Sequence, residues 1–309
     1  MSLLVREAGL QSLLVDFGRE RARALGVPVG GAADRAALAL GNALVGNPPG
    51  TVAVEVAFAG PTLEALHPTA CVVFGAPFES TLNGTALAPG VTFTLEPGDV
   101  LRVGGTRTGV RAYLCAAGGF DAPLVLGSCS ALGPLRAGDV LTCAPSRTES
   151  RGLSCEAASG IPTLRALPGP QHDWFADGAF FAQEYEVVPA SNRMGLRLKG
   201  APLARRPGEL VSEAVAPGAV QVTNDGLPIV LGVDGQTIGG YPKVAHVIRA
   251  DLDRLAQLRP GDRVRFVRVS PDEAQQAARA RAAFLREWLT RLAIAERAPV
   301  LGLCGPVTP

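Results

Sequence analysis

Short apolar runs recur along most of the chain, and turn-forming residues separate them. In the first half the candidate strands cover residues 52–58, 70–74, 91–95, 100–103 and 111–115, after a hairpin of residues 3–6 and 12–16. In the second half they cover residues 163–167, 184–188, 219–222, 229–233, 244–248 and 263–269. Many short strands at this spacing predict a sandwich or a barrel, so the expected fold class is mainly β with a few helices.

Three helices are predicted among the strands. Asp34 is expected to cap a helix over residues 35–45, and Asp251 a short helix that runs through residue 257. A capping box begins the last helix, with Ser270, Pro271 and Glu273 at its start. The apolar stripe of this helix is expected to pack on its own barrel; it consists of Leu285, Trp288, Leu289 and Leu292.

A short motif occurs three times, as LEPGDVL at 95–101, LRAGDVL at 135–141 and LRPGDRV at 258–264. Each copy places a Gly-Asp turn directly before an apolar strand, which indicates a turn reused in two related barrels. The alternative is that this turn is simply common. Residues 145–160 are polar and lack periodicity, so they predict a boundary between an N-terminal domain of residues 1–150 and a C-terminal domain of residues 151–309.

Composition is typical of a well-packed globular protein. Hydrophobic residues make up 47% of the 309 residues, charged residues 18%, and the formal net charge is +1. This balance gives no electrostatic support for nucleic acid or an anionic membrane as a partner. No apolar run reaches the length of a membrane span, and charges interrupt the apolar start where a secretory signal would not have them. The expected location is the cytoplasm.

The cysteines and histidines do not follow the spacing of metal ligands. The sequence has no C-x-x-C pair and no H-E-x-x-H motif, and the three histidines lie far apart, so no metal site is predicted. The thiols are expected to be buried and unpaired. The six cysteines are Cys71, Cys115, Cys129, Cys143, Cys155 and Cys304.

Lysine is rare enough to be informative. Of 29 basic residues only Lys199 and Lys243 are lysines. Lys243 ends the segment TIGGYPK, in which Gly239 and Gly240 allow close backbone approach to a ligand and Tyr241 offers a donor. An ammonium beside free amides suits a developing oxyanion, so Lys243 and Tyr241 are candidate catalytic residues. The alternative is a tight turn with an exposed lysine.

Further polar residues stand out in glycine-rich or apolar surroundings. Arg19, the third candidate catalytic residue, either clamps an anionic group or pairs with a nearby aspartate, and Asp34 is more readily a helix cap than a base. Glu55 is either a buried acid or an acid at a strand edge. The run at 191–193 is either a ligand clamp or an Asx turn. The candidate binding residues are Asp34, Asn42, Glu55, Gln171, Ser191, Asn192, Arg193, Gln221, Thr237, Gly239 and Gly240.

Several of these segments together resemble the allophanate hydrolase subunit 2 family, also called biotin-dependent carboxyltransferase-like or KipA-like. The matching stretches are DFGRERARALGVPVGGAAD, NALVGNPPGTVAVEVAFAGPTL, LPGPQHDWF, SNRMGLRL, VSEAVAPGAVQV and TIGGYPKVAHVI, in order along the chain. The chain departs from the family pattern at Val15, Arg21 and Ala33, which concerns the first loop. The resemblance implies two tandem cyclophilin-like β-barrel domains.

The resemblance also implies a function in a hetero-oligomer. The partners are a subunit 1 (KipI-like) protein and a LamB/YcsF-type third subunit, and the reaction is ATP-dependent opening of 5-oxoproline to glutamate. Lys243, Tyr241 and the two glycine amides would then stabilise charge on the amide oxygen, and Arg19, Asn192 and Arg193 would orient the substrate. In urea carboxylase relatives carboxyl transfer from biotin is the alternative, with biotin on another chain. A regulatory, KipA-like partner of a kinase inhibitor is the third.

Overall fold

The structure, a computed structural model, describes residues 2–153 and 161–297, without the side chains of residues 295–297. Strands dominate it, and one set of strands forms a closed barrel. The expectation of a mainly β fold with a few helices is therefore confirmed. Cys155 and Cys304 lie outside the described residues, whereas Cys71, Cys115, Cys129 and Cys143 are free thiols.

The described chain divides into two compact units. The second unit consists of Arg19–Ala33 and Ala158–Ala283, and the first takes its described residues from Met1–Gly18, Asp34–Ala157 and Phe284–Pro309. The glycine-rich segment Arg19–Ala33 thus groups with the later part of the chain, although it precedes the first helix. The boundary between residues 150 and 151 stays a prediction.

Two antiparallel sheets form the first unit. One has the strand order β11-β1-β4-β9-β6-β7 and the other β2-β3-β10-β5-β8. Their buried aliphatic side chains share one core cluster, in which Leu3, Val54, Leu101 and Leu114 are fully buried. The strands are β1 Leu3–Glu7, β2 Gln11–Val15, β3 Ala53–Ala57, β4 Thr62–Ala65, β5 Thr69–Gly75, β6 Phe78–Leu82, β7 Thr85–Ala86, β8 Phe93–Leu95, β9 Val100–Thr106, β10 Arg111–Ala116 and β11 Val140–Leu141.

A closed barrel forms the second unit, in the order β12-β19-β16-β17-β14-β13-β20, with a separate two-stranded ladder of β15 and β18. Adjacent strands of the barrel pair antiparallel, except β12 and β20, which pair parallel. Phe180 and Phe266 stack with ring centroids 4.7 Å apart inside it. The strands are β12 Thr163–Pro168, β13 Glu184–Val187, β14 Gly195–Lys199, β15 Glu213–Ala214, β16 Ala219–Val222, β17 Pro228–Leu231, β18 Ile238–Gly239, β19 Lys243–Val247 and β20 Arg263–Arg268.

The helices start largely where the sequence signals place them. They are α1 Arg35–Leu44, α2 Leu252–Leu255 and α3 Pro271–Arg297, with 3-10 turns at Glu20–Leu25, His172–Trp174 and Arg249–Asp251. Asp34 caps α1 by accepting from Ala37 N at 2.9 Å, and Ser270 and Glu273 form the expected capping box. Trp288 and Leu292 of the α3 stripe are buried.

The capping role expected of Asp251 is wrong. Its side chain makes no cap hydrogen bond, and α2 ends at Leu255 instead of residue 257. The carboxylate instead accepts from the Arg165 backbone N at 2.7 Å and from the Arg165 guanidinium at 2.6 and 3.1 Å. A fully buried carboxylate gains more from a charged, bidentate partner than from a short helix end, so the ion pair takes it.

Candidate functional site

Lys243 is the first residue of β19 and is buried, with 4% of its surface exposed. The other lysine, Lys199, ends β14 and is exposed. The two lysines therefore differ in setting, as their sequence surroundings predict, and the alternative of an exposed lysine in a tight turn does not hold for Lys243. Burying an ammonium is costly unless it has a partner, so its surroundings decide what it can do.

The ammonium of Lys243 forms an ion pair with Glu213 of β15. Glu213 lies in the matching stretch VSEAVAPGAVQV but is not among the candidate site residues. Gln171 joins both residues, because its Nε2 donates to Glu213 Oε1 at 2.8 Å and its Oε1 accepts from Lys243 N at 3.0 Å. Hydrogen bonds from Lys243 and then Gln171 lower the pKa of Glu213 below its ordinary value. Glu213 is thus a carboxylate held charged against a buried cation.

Gln221 extends this group on the neighbouring strand. The register of β16 and β19 sets Gln221 opposite Lys243, which places their side chains on one face of the sheet. Gln236 Nε2 donates to Gln221 Oε1 at 3.3 Å, whereas Gln221 Nε2 is buried and has no hydrogen-bond partner among residues 2–153 and 161–297. We call Gln171, Glu213, Gln221, Gln236 and Lys243 the Lys243 cluster.

Two glycines allow the Lys243 cluster to assemble. A Cβ on Gly239 would lie 2.3 Å from Gln221 Nε2, and one on Gly169 would lie 2.2 Å from the backbone oxygen of Lys243. Any side chain at either position would collide with the group. Gly169 N also donates to Val244 O at 2.9 Å, which fixes the PGPQ turn against β19. Residues 168–171, which include the candidate Gln171, and residues 236–243, which include the segment TIGGYPK, therefore meet here.

The rest of the TIGGYPK segment lies at the edge of the cluster. Gly239 pairs with Glu213 in the β15–β18 ladder, and Thr237 O accepts from Val215 N at 2.9 Å. Gly240 is exposed, and Tyr241 keeps 39% of its surface exposed. The segment therefore combines a buried cation with neighbouring residues that solvent or a ligand can reach.

Arg193 and the run before it are engaged within the fold. The Arg193 guanidinium donates to both carboxylate oxygens of Asp234 at 2.6 and 3.0 Å and to Gly31 O at 2.7 Å. Asn192 Oδ1 accepts from Met194 N at 2.8 Å, which is the Asx turn named as the alternative. Ser191 Oγ accepts from Arg197 N at 3.0 Å. These contacts explain the three residues structurally, and their role in substrate orientation stays a prediction.

Arg19 opens the segment Arg19–Ala33 of the second unit and is buried, with 4% of its surface exposed. Its backbone N donates to Val29 O at 2.6 Å, which closes the segment into a loop. Gly30 N donates to Val233 O at 2.9 Å, so the loop is fastened beside the Arg193–Asp234 pair. Arg19 therefore belongs to the same unit as the Lys243 cluster.

Asp34, Glu55 and Asn42 belong to the first unit. The Tyr113 hydroxyl donates to Glu55 Oε2 at 2.7 Å and accepts from the Asp34 backbone N at 2.8 Å, and Arg111 lies 3.4 Å from Glu55. Burial, and then the charge of Glu55, raise the pKa of Tyr113 well above its ordinary value. Glu55 is thus a buried, paired acid. Asn42 is fully buried and donates to Thr51 O at 2.8 Å.

The described residues contain no group of three or more histidine, cysteine, aspartate or glutamate side chains that could hold a metal ion. Within those same residues, no helix offers an apolar stretch long enough to cross a bilayer. The Lys243 cluster itself offers a buried ammonium, neutral amide donors and one partly exposed carboxylate. The ammonium and the amide donors are groups that stabilise negative charge on oxygen.

Comparison with known proteins adds three findings. A family model described as carboxyltransferase domain, subdomain A and B, matches residues 25–268. The C subunit of the Escherichia coli 5-oxoprolinase is 36% identical over 295 residues, which cover 89% of this chain and 94% of that protein. The C subunit of the Haemophilus influenzae 5-oxoprolinase is 34% identical over 283 residues, covering 87% of this chain and 92% of that one.

A solved structure shares the fold. The Kluyveromyces lactis urea carboxylase superimposes with a TM-score of 0.84 at 27% identity, covering 93% of this chain. The match takes up 29% of that longer chain, so this sequence corresponds to a minor part of the solved enzyme.

Proposed function

Because the chain belongs to the carboxyltransferase domain, subdomain A and B, family, we propose that it acts as the C subunit of an ATP-dependent 5-oxoprolinase. The likeness to two such C subunits over nearly their full length supports this assignment. The observation that carries it is the buried Lys243 ammonium among amide donors on a barrel strand.

The proposed reaction is the opening of the cyclic amide of 5-oxoproline to glutamate. A lactam resists water because its carbonyl is stabilised by resonance, and phosphorylation of the amide oxygen by ATP would make the carbon electrophilic. A first water adds to this carbon and the ring C–N bond breaks, with the nitrogen taking up a proton, which leaves an acyl phosphate. A second water adds to its carbonyl carbon, puts negative charge on the carbonyl oxygen and releases inorganic phosphate. Lys243 Nζ and the backbone amides at Gly239 and Gly240 would stabilise this charge.

The activity is proposed for an assembly. The two bacterial relatives are each one subunit of a 5-oxoprolinase, which implies further subunits. We propose a subunit 1 (KipI-like) protein and a LamB/YcsF-type protein as partners, with ATP used by the complex. The sequence has no recognisable nucleotide-binding motif, so ATP contacts are assigned to the complex as a whole.

The test is reconstitution with both partners and an assay of glutamate formed from 5-oxoproline and ATP. Lys243→Ala should lower kcat by about 10²–10³-fold, as loss of one oxyanion donor does. Lys199→Ala is the matched control, because Lys199 is the other lysine and is exposed; it should retain wild-type turnover. Full turnover by the Lys243→Ala complex would refute the role proposed for this residue.

Carboxyl transfer to a urea-like substrate is the second candidate, favoured by the likeness to urea carboxylase. It needs a biotin carrier on another chain, since this sequence has no Ala/Val-Met-Lys-Met attachment site. Both reactions polarise an amide-like carbonyl, so the Lys243 cluster serves either. Consumption of carboxybiotin with urea, and no glutamate from 5-oxoproline, would select this alternative.

A further inference from the structure

One oxygen of Glu213 contacts two other members of the Lys243 cluster. Glu213 Oε1 accepts from Gln171 Nε2 at 2.8 Å and pairs with Lys243 Nζ. Both donor side chains are buried, whereas the Glu213 side chain keeps 42% of its surface exposed. An anionic oxygen between an ammonium and an amide donor is the way proteins hold charged oxygens of ligands. Glu213 thus stands where a ligand oxygen would be held.

The donors are anchored more firmly than this acceptor. Lys243 lies on the barrel strand β19, and Gln171 follows a turn that packs tightly on it. Glu213 lies on β15, a strand of two residues that pairs with the two residues of β18 outside the barrel. Val211, two residues before it, is 88% exposed, whereas Val215, two residues after it, is buried. A two-residue strand outside the barrel, preceded by an exposed segment, opens at lower cost than a barrel strand, so Glu213 can leave while the donors stay.

A third donor is already in place. Gln221 Nε2 is buried and lacks a partner among the described residues, while its Oε1 accepts from Gln236. Buried polar groups almost always have a partner, so an unpaired amide beside a cation points to a missing acceptor. Glu213 pairs with Lys243 and accepts from Gln171, and it leaves the Gln221 amide without an acceptor.

We propose that Glu213 is a displaceable internal ligand, whose carboxylate gives way to a negatively charged oxygen of the substrate on Lys243, Gln171 and Gln221. The inference rests on the proposed function for the identity of the substrate. The oxygen comes either from the carboxylate of 5-oxoproline or from the oxyanion formed when water adds to its activated carbonyl carbon. Glu213 acts as a positioning residue, because it keeps the buried cation paired when the site is empty and competes with the incoming anion.

The first test labels the lysines of the reconstituted complex with an amine-acylating reagent and reads each site by peptide mass. This chain has only two lysines, so Lys199 serves as internal standard. Glu213→Gln keeps the size and the acceptor oxygen but removes the charge. It should raise the rate of Lys243 acylation several-fold with Lys199 unchanged, and 5-oxoproline should protect Lys243 in this variant. Glu209→Gln, an exposed acid four residues earlier, should behave as wild type.

Unchanged Lys243 acylation in the Glu213→Gln variant would overturn the proposal. In a complex that turns over 5-oxoproline, acylation of this variant that 5-oxoproline does not slow would overturn it as well. The comparison of acylation rates needs no turnover, so it stays valid if the proposed function fails. No glutamate from 5-oxoproline with the wild-type complex, together with faster acylation in Glu213→Gln, would reject the proposed function alone.

The second test separates the two sources of the anionic oxygen. If the substrate carboxylate displaces Glu213, the Glu213→Gln complex should show a KM for 5-oxoproline lowered several-fold, and 2-pyrrolidinone, which lacks the carboxylate, should not gain affinity. If the oxyanion displaces it, KM should stay constant and kcat should rise. A fall in kcat at constant KM would contradict displacement, because it would make the Glu213 charge a requirement of the reaction.

Discussion

At the scale of single residues, the position of Lys243 depends on the backbone packed against it. Gly169 lies so close that an added Cβ would be 2.2 Å from Lys243 O and 2.9 Å from Ala245 N. The hydrogen bonds on either side, from Gly169 N to Val244 O and from Gln171 N to Lys243 O, hold the turn at this distance. The backbone at the start of β19 is therefore held in place by Gly169, a residue without a functional side chain.

Gly169→Ala tests this dependence. The methyl group must push the PGPQ turn away from β19, since the atoms it meets are backbone. Displacing the ammonium by about 1 Å is enough to cost on the order of 10²-fold in rate, so kcat of the reconstituted enzyme should fall by about that factor. Gly133→Ala, where nothing lies within 4 Å of the added Cβ, should leave kcat unchanged. Equal rates for both variants would mean that the turn does not position Lys243.

The sequence predicted Lys243 through its rarity but not its counter-ion. Glu213 is 30 positions away, and the strands that join its segment to TIGGYPK have two residues each, too few for any periodic signal. For Ser191 and Asn192 the sequence located the residues but left their role open. The sequence allowed a clamp or a turn; the hydrogen bonds donated by Arg197 N and Met194 N show the turn, and the clamp stays a prediction.

At the scale of elements, one carboxylate fastens the end of β2 to a later loop of the first unit. Asp16 accepts from Ser128 Oγ at 2.5 Å, Ser130 Oγ at 2.6 Å and Cys129 N at 2.7 Å, and also from Gly18 N at 2.8 Å. Burial acts to raise the pKa of Asp16, but these four hydrogen bonds outweigh it and lower the pKa below its ordinary value.

Asp16→Asn should change how the free energy of unfolding depends on pH in the acid range. A carboxyl group with a lowered pKa in the folded state stabilises the fold above its unfolded pKa of about 3.9, and this contribution is lost as pH falls through the folded pKa. Wild type should therefore exceed Asp16→Asn in free energy of unfolding at pH 7, and the difference should shrink below about pH 4. Denaturant unfolding of both proteins at several pH values measures this difference.

Asp121→Asn is the matched control for that experiment, since Asp121 is an exposed acid of the same unit. Its difference from wild type in free energy of unfolding should be small. A difference between wild type and Asp16→Asn that persists undiminished at about pH 2 would show that the hydrogen bonds do not depend on the charge of Asp16.

The elements that the sequence predicted well are those with a long periodic pattern or a local cap. Strands β5 and β10 each contain a run of five apolar residues, and the capping box of α3 is contained in four consecutive residues. The misassigned cap at Asp251 fails for a tertiary reason, because its partner Arg165 lies 86 positions away. At this fully buried carboxylate the distant ion pair overrides the local cap signal.

At the scale of the whole molecule, the recurring Gly-Asp turn has one geometry in both units. Gly98, Gly138 and Gly261 have φ of 88°, 92° and 90°. In each copy the aspartate that follows accepts from a backbone N three positions earlier, at 2.7, 2.7 and 2.9 Å. The turns lead into β9, β11 and β20. A shared turn with a shared hydrogen bond supports common construction of the two units better than the sequence motif alone does.

Replacing each of these glycines by alanine tests whether the three turns are equivalent. Nothing lies within 4 Å of a Cβ built on Gly98, Gly138 or Gly261, so the cost of alanine comes from the left-handed backbone and not from collision. Each variant should lose about 1–2 kcal/mol of unfolding free energy, the penalty of an L-residue in that region, with similar values at all three sites. Gly133→Ala, equally open but without a positive φ, should cost much less. Chemical denaturation measures these losses. Widely different values at the three positions would show that the turns share a sequence but not a structural role. The proposal that the two units are built alike would then lose this support.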